Sequence, residues 1–204
     1  DEAEALGIPL KTLGIRLVFA AEVFSEQFRG YVAEKCGMAY PYAHTMNIYG
    51  SADIGAMAVE TPMSILLRKD ALGNPEMFER LFGNIQKIPT FAQFNPYFIQ
   101  FESFEGEILL SGDNVMPLIR YAIGDQGGVL DWNEARSCAA DTSVFDGMAR
   151  LPFVYVYERS DFAVSLYGIT LHPEMIRNGL YAPWMQEITT GKFTVSTEYD
   201  EEAN

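Results

Sequence analysis

The sequence predicts an α/β fold in which a layer of strands and helices adjoins a small antiparallel barrel or sheet. A strand-like segment, a short turn and a helix follow one another near the start of the chain, which is the unit of an α/β layer. Short aromatic strands separated by tight turns follow between residues 91 and 130, a spacing typical of antiparallel structure. The 204 residues are 49% hydrophobic and 13% aromatic, so the chain can bury a sizeable core.

The first α/β unit occupies the opening forty residues. Residues 13–21 (LGIRLVFAA) form an apolar run with few breaks, which predicts a buried strand. Ser25 is the predicted N-cap of the helix that follows, because its side-chain oxygen can accept from an unpaired N–H of the first turn. Gly37 is the predicted end of that helix.

The next elements are a strand and two helices. Residues 39–49 are rich in aromatic side chains and are predicted as a strand that ends at Tyr49 and contains His44. Residues 64–72 are predicted as one helix. Asn74, with Pro75 at the first helical position, predicts the start of a second helix that ends at Gly83.

The antiparallel part of the prediction depends on turn signals. Pro96 marks an edge or a bend within the aromatic residues 91–101, and Glu105-Gly106 predicts a hairpin. Gly124-Asp125 is predicted to break the chain before it resumes as a strand. The remaining predicted elements are a helix capped by Asp131 or Asn133, strands at residues 153–157 and 164–171, and a helix beginning at residues 172–174.

The charge of the chain excludes some classes of partner. The net charge is −14 and the isoelectric point is near 4.4, which argues against nucleic acid and against a polybasic contact with a membrane. It leaves nucleotide binding open, because Mg²⁺ and a few basic side chains can neutralise phosphates locally. No apolar run is long enough to span a bilayer, so we expect no membrane segment.

Cysteine and histidine content restricts the chemistry further. Cys36 and Cys138 have no metal-binding or redox spacing, which favours a reducing, cytoplasmic location. With only His44 and His172, a site of several histidines is not expected. A homodimer is left open.

The first motif with chemical content is residues 49–55 (YGSADIG), at the end of a predicted strand. Its glycines allow close approach of the backbone, so N–H groups and a carboxylate can face a phosphate or a metal-bound nucleotide. The flat ring of Tyr49 can face a base. A simple chain reversal explains the same residues, and the motif alone does not decide between the two.

Two further motifs follow in order. The second motif is residues 117–125 (PLIRYAIGD), which comes after the hairpin residues 106–110. The third motif is residues 158–161 (ERSD), which follows LPFVYVY and precedes residues 165–168 (SLYG). Together, the three motifs resemble the adenylate-forming enzymes, and the nearest branch is similar to the phenylacetate–CoA ligases and their relatives in phenazine biosynthesis.

This resemblance implies a role for five side chains. Tyr49 would stack on adenine, Asp53 would help to hold Mg²⁺, and Asp125 would accept hydrogen bonds from the ribose hydroxyls. Arg159 would contact ribose or phosphate, and Asp161 would be the hinge of a small C-terminal lid. By the same resemblance, the nucleotide also lies against Gly50, Ser51 and Ala52.

The resemblance also implies a reaction and its cofactors. Enzymes of this family join a carboxylic acid to the α-phosphate of ATP with Mg²⁺, release pyrophosphate, and pass the acyl group to CoA or another thiol. The acid is expected to be a small molecule, aromatic or otherwise apolar. On this reading, residues 1–160 are the back part of the large adenylation domain and residues 161–204 are the hinge and an incomplete lid, so the isolated chain should be inactive.

Three positions depart from the family pattern. Ala52 replaces a serine or threonine, Asp53 is one methylene shorter than the usual glutamate, and Glu158 replaces a glycine. These departures favour an alternative, in which the chain derives from a degenerate, non-catalytic nucleotide-binding relative. Residues 132–150 are interpreted as an insertion, and Arg120 as a structural ion-pair partner rather than a ligand.

Overall fold

The structure is a computed structural model. It describes residues 2–20, 26–83, 88–113, 117–157, 164–166 and 169–171, together with positions 176, 180, 185, 188 and 189. The contacts divide the chain into two compact units, Asp1–Glu158 and Arg159–Asn204. The assignment of residues 1–160 and 161–204 to an adenylation domain and its lid stays a prediction.

The first unit is built on one mixed sheet of eight strands, so the predicted α/β class is confirmed at this level. β1 and β2 are parallel, and every other neighbouring pair in the sheet is antiparallel. The order across the sheet is β1-β2-β3-β4-β8-β7-β6-β5. The strands are β1 Leu17–Ala20, β2 Thr45–Ser51, β3 Gly55–Val59, β4 Thr90–Gln93, β5 Ile99–Phe104, β6 Glu107–Gly112, β7 Leu118–Leu130 and β8 Phe153–Tyr157.

Helices precede, connect and follow these strands. Asn74 and Asp131 accept backbone N–H bonds as N-caps, which confirms both predicted helix starts. The Asp131 cap is completed by Glu134, whose side chain accepts from the N–H of Asp131. The α-helices are α1 Glu2–Ala5, α2 Glu26–Cys36, α3 Pro41–His44, α4 Pro62–Leu72, α5 Pro75–Phe82 and α6 Trp132–Cys138, and short 3-10 helices cover Leu10–Thr12 and Thr142–Phe145.

The predicted strand–helix unit is present as β1, α2 and β2, with β1 and β2 parallel. The prediction of a buried strand over residues 13–21 is wrong in length and in burial. β1 begins only at Leu17, and its residues alternate between half-buried and exposed. The reason is its position, because among the described strands β1 is at the edge of the sheet and pairs with β2 alone. Ser25 lies outside the described residues, and Gly37 follows the last residue of α2 with φ +65°, as a helix-ending glycine does.

The prediction of one strand over residues 39–49 is also wrong. Pro41 opens the short helix α3, which ends at His44, so this histidine lies outside the strand. β2 begins at Thr45 and continues past Tyr49 to Ser51. It continues because it forms a hairpin with β3, and the hydrogen-bonded partner strand extends the ladder.

The predicted break at Gly124-Asp125 is a bulge within one long strand, β7. Glu107 pairs with Gln126 and Leu109 pairs with Ala122, so a step of two residues on β6 faces a step of four on β7. Gly124 has φ +83°, a conformation that strongly favours glycine. The extra residues bend the strand without ending it.

The hydrophobic core has two clusters, and the first lies under α4, α5 and α6. Its centre is a stacked ring pair, Phe91 and Phe153, with centroids 4.9 Å apart. Ala135, Cys138 and Phe145 belong to the same cluster. The segment 132–150 therefore contributes side chains to the core of this unit, and its interpretation as an insertion stays a prediction.

The second cluster shows that the sheet is rolled. The rings of Tyr49 on β2 and Phe101 on β5 lie 5.9 Å apart between centroids. These strands are six positions apart in the sheet order, a distance of roughly 29 Å in a flat sheet at about 4.8 Å per strand. The predicted α/β layer and antiparallel part are therefore the two ends of one continuous sheet, and its antiparallel end curls over the second cluster.

The second unit contains an antiparallel pair, β9 Val164–Leu166 and β10 Ile169–Leu171. This pair replaces the single interrupted strand predicted over residues 164–171. The predicted helix start at residues 172–174 lies outside the described residues. Among the helices that the structure describes, none combines the length and the apolar character needed to cross a bilayer.

Candidate functional site

The first motif forms the hairpin between β2 and β3. The pairing register shifts between Tyr49 and Gly50, which makes a bulge just before the turn. A Cβ atom added to Gly50 would lie 2.5 Å from the carbonyl oxygen of Gly55 on the facing strand. Glycine is required here by this close approach of two backbones.

Ser51, Ala52 and Asp53 form the end of the hairpin. The Ser51 Oγ accepts a hydrogen bond of 3.3 Å from the N–H of Ile54, which closes the turn locally. Ala52 and Asp53 are exposed. The carboxylate of Asp53 is therefore presented at the tip of the turn, where a solvated ligand can reach it.

The second motif contributes Asp125, which lies one residue after the bulge glycine of β7. Its exposed fraction is 8%, so the carboxylate is nearly buried. The hydroxyl of Tyr49 donates a hydrogen bond of 2.7 Å to its Oδ2. A buried carboxylate needs such donors, because leaving it without them costs several kcal/mol of desolvation.

Tyr121 makes a second link between the two motifs. Its hydroxyl donates to Oδ2 of Asp53 over 3.3 Å. Sequence reasoning named Asp53 and missed Tyr121, although the tyrosine stands four residues before Asp125 in the same motif. Two tyrosine–aspartate contacts thus run in opposite directions between the hairpin and β7, and they place Tyr49, Asp53 and Asp125 in one region of the surface.

The ring of Tyr49 is half-buried and packs on Phe101 with an interplanar angle of 30°. This tilted contact and the hydrogen bond to Asp125 together fix both the plane and the rotation of the ring. An aromatic ring held in this way is a pre-organised platform, since little conformational entropy is lost when a flat ligand stacks on it.

Arg120 lies beside the second motif and pairs with Glu102, with Nε and Oε2 3.2 Å apart. Its guanidinium also lies 5.9 Å from the centre of the Phe104 ring. Both charged side chains are about half exposed, so the pair contributes little to stability. This placement agrees with the expectation that Arg120 has a structural partner.

Of the predicted site residues, Tyr49, Gly50, Ser51, Ala52, Asp53 and Asp125 are described and lie on the hairpin or on β7. Arg159 and the hinge residue Asp161 lie outside the described residues, as does Glu158, and their roles stay predictions. Within the described part of the chain, no group of three His, Cys, Asp or Glu side chains is arranged to hold a metal. Mg²⁺ at a nucleotide site commonly takes only one or two carboxylates and completes its shell with phosphates and water, so Asp53 remains the candidate ligand.

A buried ionic network, which sequence reasoning also missed, lies near the start of β2. Glu60 lies between two arginines, 2.6 Å from Arg29 and 2.7 Å from Arg68. Glu26 contacts both arginines from the other side, at 2.9 Å from Arg29. Two positive and two negative charges are thus enclosed together, and the N–H of Asn47 on β2 donates to Glu60 over 3.0 Å.

The two glutamates of this network stabilise the positive charge of Arg68. Burial alone lowers the pKa of the Arg68 guanidinium, but the charges of Glu60 and Glu26 outweigh burial and hold that pKa above its usual range. The only sequence signal was Glu26 and Arg29 at helical spacing on α2. Their partners are Glu60, which directly follows β3, and Arg68 on α4, so the network depends on tertiary structure and fixes α2 against the start of β2.

Neither a comparison with known protein families nor a comparison with curated protein sequences finds a match for this chain.

Proposed function

We propose that this chain carries the nucleotide-facing wall of an AMP-forming acid–thiol ligase of the phenylacetate–CoA ligase type. The observation that carries the proposal is the hydrogen bond between Tyr49 and Asp125. These residues lie 76 positions apart in two separate motifs, and the resemblance to the adenylate-forming enzymes assigns both motifs to one nucleotide.

On this proposal, the nucleotide lies across the hairpin and β7. Tyr49 stacks on the adenine, and Asp125 accepts from the ribose hydroxyls. A carboxylate has room for about four hydrogen bonds, so Asp125 can hold the Tyr49 hydroxyl and still accept from a ribose. Asp53, held by Tyr121, lies at the exposed turn and helps to bind Mg²⁺ on the phosphates of ATP.

The chemistry proposed is activation of a small carboxylic acid. The acid oxygen attacks the α-phosphorus of ATP and pyrophosphate leaves. CoA or another thiol then takes the acyl group from the adenylate, and AMP is released. Catalysis of such a transfer is mainly positioning and neutralisation of phosphate charge. The Tyr49 ring and the Asp125 carboxylate would position the nucleotide, and Mg²⁺ bound with the help of Asp53 would neutralise phosphate charge. An aromatic or otherwise apolar acid is proposed from the resemblance of the motifs.

Nucleotide binding is tested by calorimetric titration of this chain with AMP and with 2′,3′-dideoxy-AMP, which lacks both ribose hydroxyls. We expect the wild-type chain to prefer AMP by about tenfold or more, since a hydrogen bond to a charged group is worth that much. Asp125→Asn should bind AMP more weakly and lose the preference. Asp146→Asn, an exposed carboxylate elsewhere, is the matched control and should behave as wild type.

The proposal is contradicted if the wild-type chain binds the two nucleotides with equal affinity, or if it shows saturable binding of neither nucleotide. Circular dichroism of each variant separates loss of the ligand from loss of the fold.

The alternative, a nucleotide-binding relative without catalysis, is favoured by Ala52 and by the short carboxylate of Asp53. Pyrophosphate exchange, measured with the protein of the complete reading frame, distinguishes the two functions. An acid–thiol ligase exchanges labelled pyrophosphate into ATP only when a carboxylic acid is added, whereas the non-catalytic relative binds AMP and shows no such exchange. Asp53→Glu should increase the exchange rate, because it restores one methylene of reach towards the metal.

A further inference from the structure

A cavity of about 220 Å³ lies at the end of the parallel pair that is remote from the candidate nucleotide site. Its lining includes residues just before β1 and just before β2, among them Arg16 and His44. The hairpin turn lies at the other end of β2, which spans seven residues, or roughly 20 Å at about 3.3 Å per residue. The cavity is therefore separate from the surface proposed to bind the nucleotide.

The charge of this cavity is opposite to that of the chain. Lys11, Arg16 and His44 line it, and its described lining includes no aspartate or glutamate. The whole sequence has 28 acidic residues against 14 lysines and arginines, so a lining with only basic charged groups departs from the composition. Such a concave surface concentrates positive potential and attracts anions.

Capping of the neighbouring helix does not explain why basic side chains lie at this cavity. The C-terminal end of α2 borders the cavity, and basic residues often satisfy the last carbonyls of a helix. Here the turn does so itself, because Gly37 donates to Glu34 over 3.1 Å and Met38 donates to Ala33 over 2.8 Å.

Among the described residues, the two long basic side chains also lack a counter-charge. Arg29, Arg68 and Arg120 each form an ion pair with a glutamate. For Lys11 and Arg16, no carboxylate of the described residues lies within ion-pair distance.

Gly37 places Lys11 at the cavity wall. A Cβ atom on Gly37 would lie 2.9 Å from the Cβ of Lys11. Because glycine has no side chain, the aliphatic part of Lys11 can pack against the C-terminal end of α2. Gly37 also has φ +65°, which favours glycine independently. The position of the Lys11 backbone is thus set by packing, and its ammonium is the part that can adjust to a ligand.

We propose that this cavity binds a phosphoryl anion of one or two phosphate groups. A cavity of this volume has room for orthophosphate or pyrophosphate. A guanidinium can bind two phosphate oxygens at once, an ammonium adds a mobile point charge, and an imidazole N–H adds a directed donor. Arg16, Lys11 and His44 supply these three kinds of group.

The test is calorimetric titration of the whole chain with orthophosphate, pyrophosphate and acetate at constant ionic strength in chloride. We expect saturable binding of pyrophosphate or orthophosphate and none of acetate, because a single carboxylate charge engages fewer donors. Arg16→Gln and Lys11→Gln should each weaken phosphoryl binding by about tenfold. Arg136→Gln makes the same charge change on the exposed face of α6 and should stay within about twofold of wild type.

A second comparison separates this cavity from the nucleotide site. Asp125→Asn should keep its affinity for pyrophosphate, whether or not the wild-type chain prefers AMP. The proposal is overturned if wild type shows no saturable phosphoryl binding, if Arg136→Gln loses as much affinity as Arg16→Gln, or if the loss follows Asp125→Asn instead. Arg16 and Lys11 are exposed, so their variants should fold, and circular dichroism verifies this.

Discussion

The hydroxyl of Tyr49 and the carboxylate of Asp125 form a hydrogen bond of 2.7 Å across 76 residues of chain. It joins β2 to β7, which are four positions apart in the sheet order. Because the acceptor is a nearly buried charge, this bond should contribute to stability as well as to the shape of the candidate site.

Tyr49→Phe removes this donor and keeps the ring. We expect the free energy of unfolding to fall by about 1 to 3 kcal/mol, because the carboxylate loses a buried partner. Tyr97→Phe is the control, since Tyr97 is 94% exposed, and it should change stability by less than about 0.5 kcal/mol. Chemical denaturation measures both, and equal values for the two variants would contradict the role given to the Tyr49 hydroxyl.

Glu60→Gln tests the buried ionic network. It leaves Arg29 and Arg68 enclosed with one negative charge fewer, and we expect a loss of about 3 to 5 kcal/mol. Glu102→Gln breaks the ion pair of Glu102 with Arg120, in which both side chains are half exposed, and should cost less than about 1 kcal/mol. Urea unfolding at neutral pH compares them, and a loss at Glu60 as small as that at Glu102 would show that the enclosed charges are not coupled.

Gly50→Ala and Gly30→Ala should have opposite effects. A methyl group at Gly50 meets the Gly55 carbonyl at 2.5 Å, so the hairpin must distort and stability must fall. Gly30 lies within α2 with nothing within 4 Å of its added Cβ, so alanine should raise stability by about 0.5 to 1 kcal/mol. Thermal unfolding shows whether each variant is more or less stable than wild type. A gain of stability in Gly50→Ala would refute the close approach at the bulge.

Tyr157 gives a prediction for alkaline pH. Burial, together with the neighbouring Tyr155, raises the pKa of the Tyr157 phenol above its ordinary value, and its hydroxyl donates to the carbonyl of Phe82 over 2.5 Å. The folded state therefore holds the proton more tightly than the unfolded state. This contribution to stability is fully present below pH 10.0, the ordinary pKa of tyrosine, and is lost as the pH rises above it.

The measurement is the free energy of unfolding of wild type and Tyr157→Phe at a series of pH values from about 8 to 11. The variant should be less stable at neutral pH, because the hydrogen bond to Phe82 is gone, but it should lose less stability on the alkaline side. Parallel profiles for the two proteins would show that Tyr157 does not titrate in the unfolding reaction.

Local chemistry explains the elements that were predicted correctly. Asn74 and Asp131 cap helices through contacts with residues three positions later, and Gly37 and Gly83 end helices with positive φ. The hairpin at Glu105-Gly106 depends on one turn between two strands. These features involve neighbours along the chain, which a sequence contains directly.

The wrong predictions concern segments whose structure depends on pairing with strands that are distant in sequence. β1 looks like a buried strand in sequence and is an edge strand in the sheet, because β2 is its only partner among the strands that the structure describes. Gly124 looks like a break and is a bulge, because β6 and β8 hold β7 on both sides. Periodicity does not contain the order of strands, so these positions could not be assigned from the chain alone.

For the candidate site, the sequence determined the components: an aromatic ring at Tyr49, a carboxylate at Asp53 and another at Asp125, each beside a glycine or a tight turn. The tertiary structure decided their relationship, because only the roll of the sheet brings β2 and β7 into contact and adds Tyr121 and Phe101 around them. It also decided the pairing of Arg29 and Arg68 with Glu60. The physical reason is the same in both cases: residue type sets what a side chain can bind, whereas strand order and curvature, which depend on packing across the whole sheet, set which partners it meets.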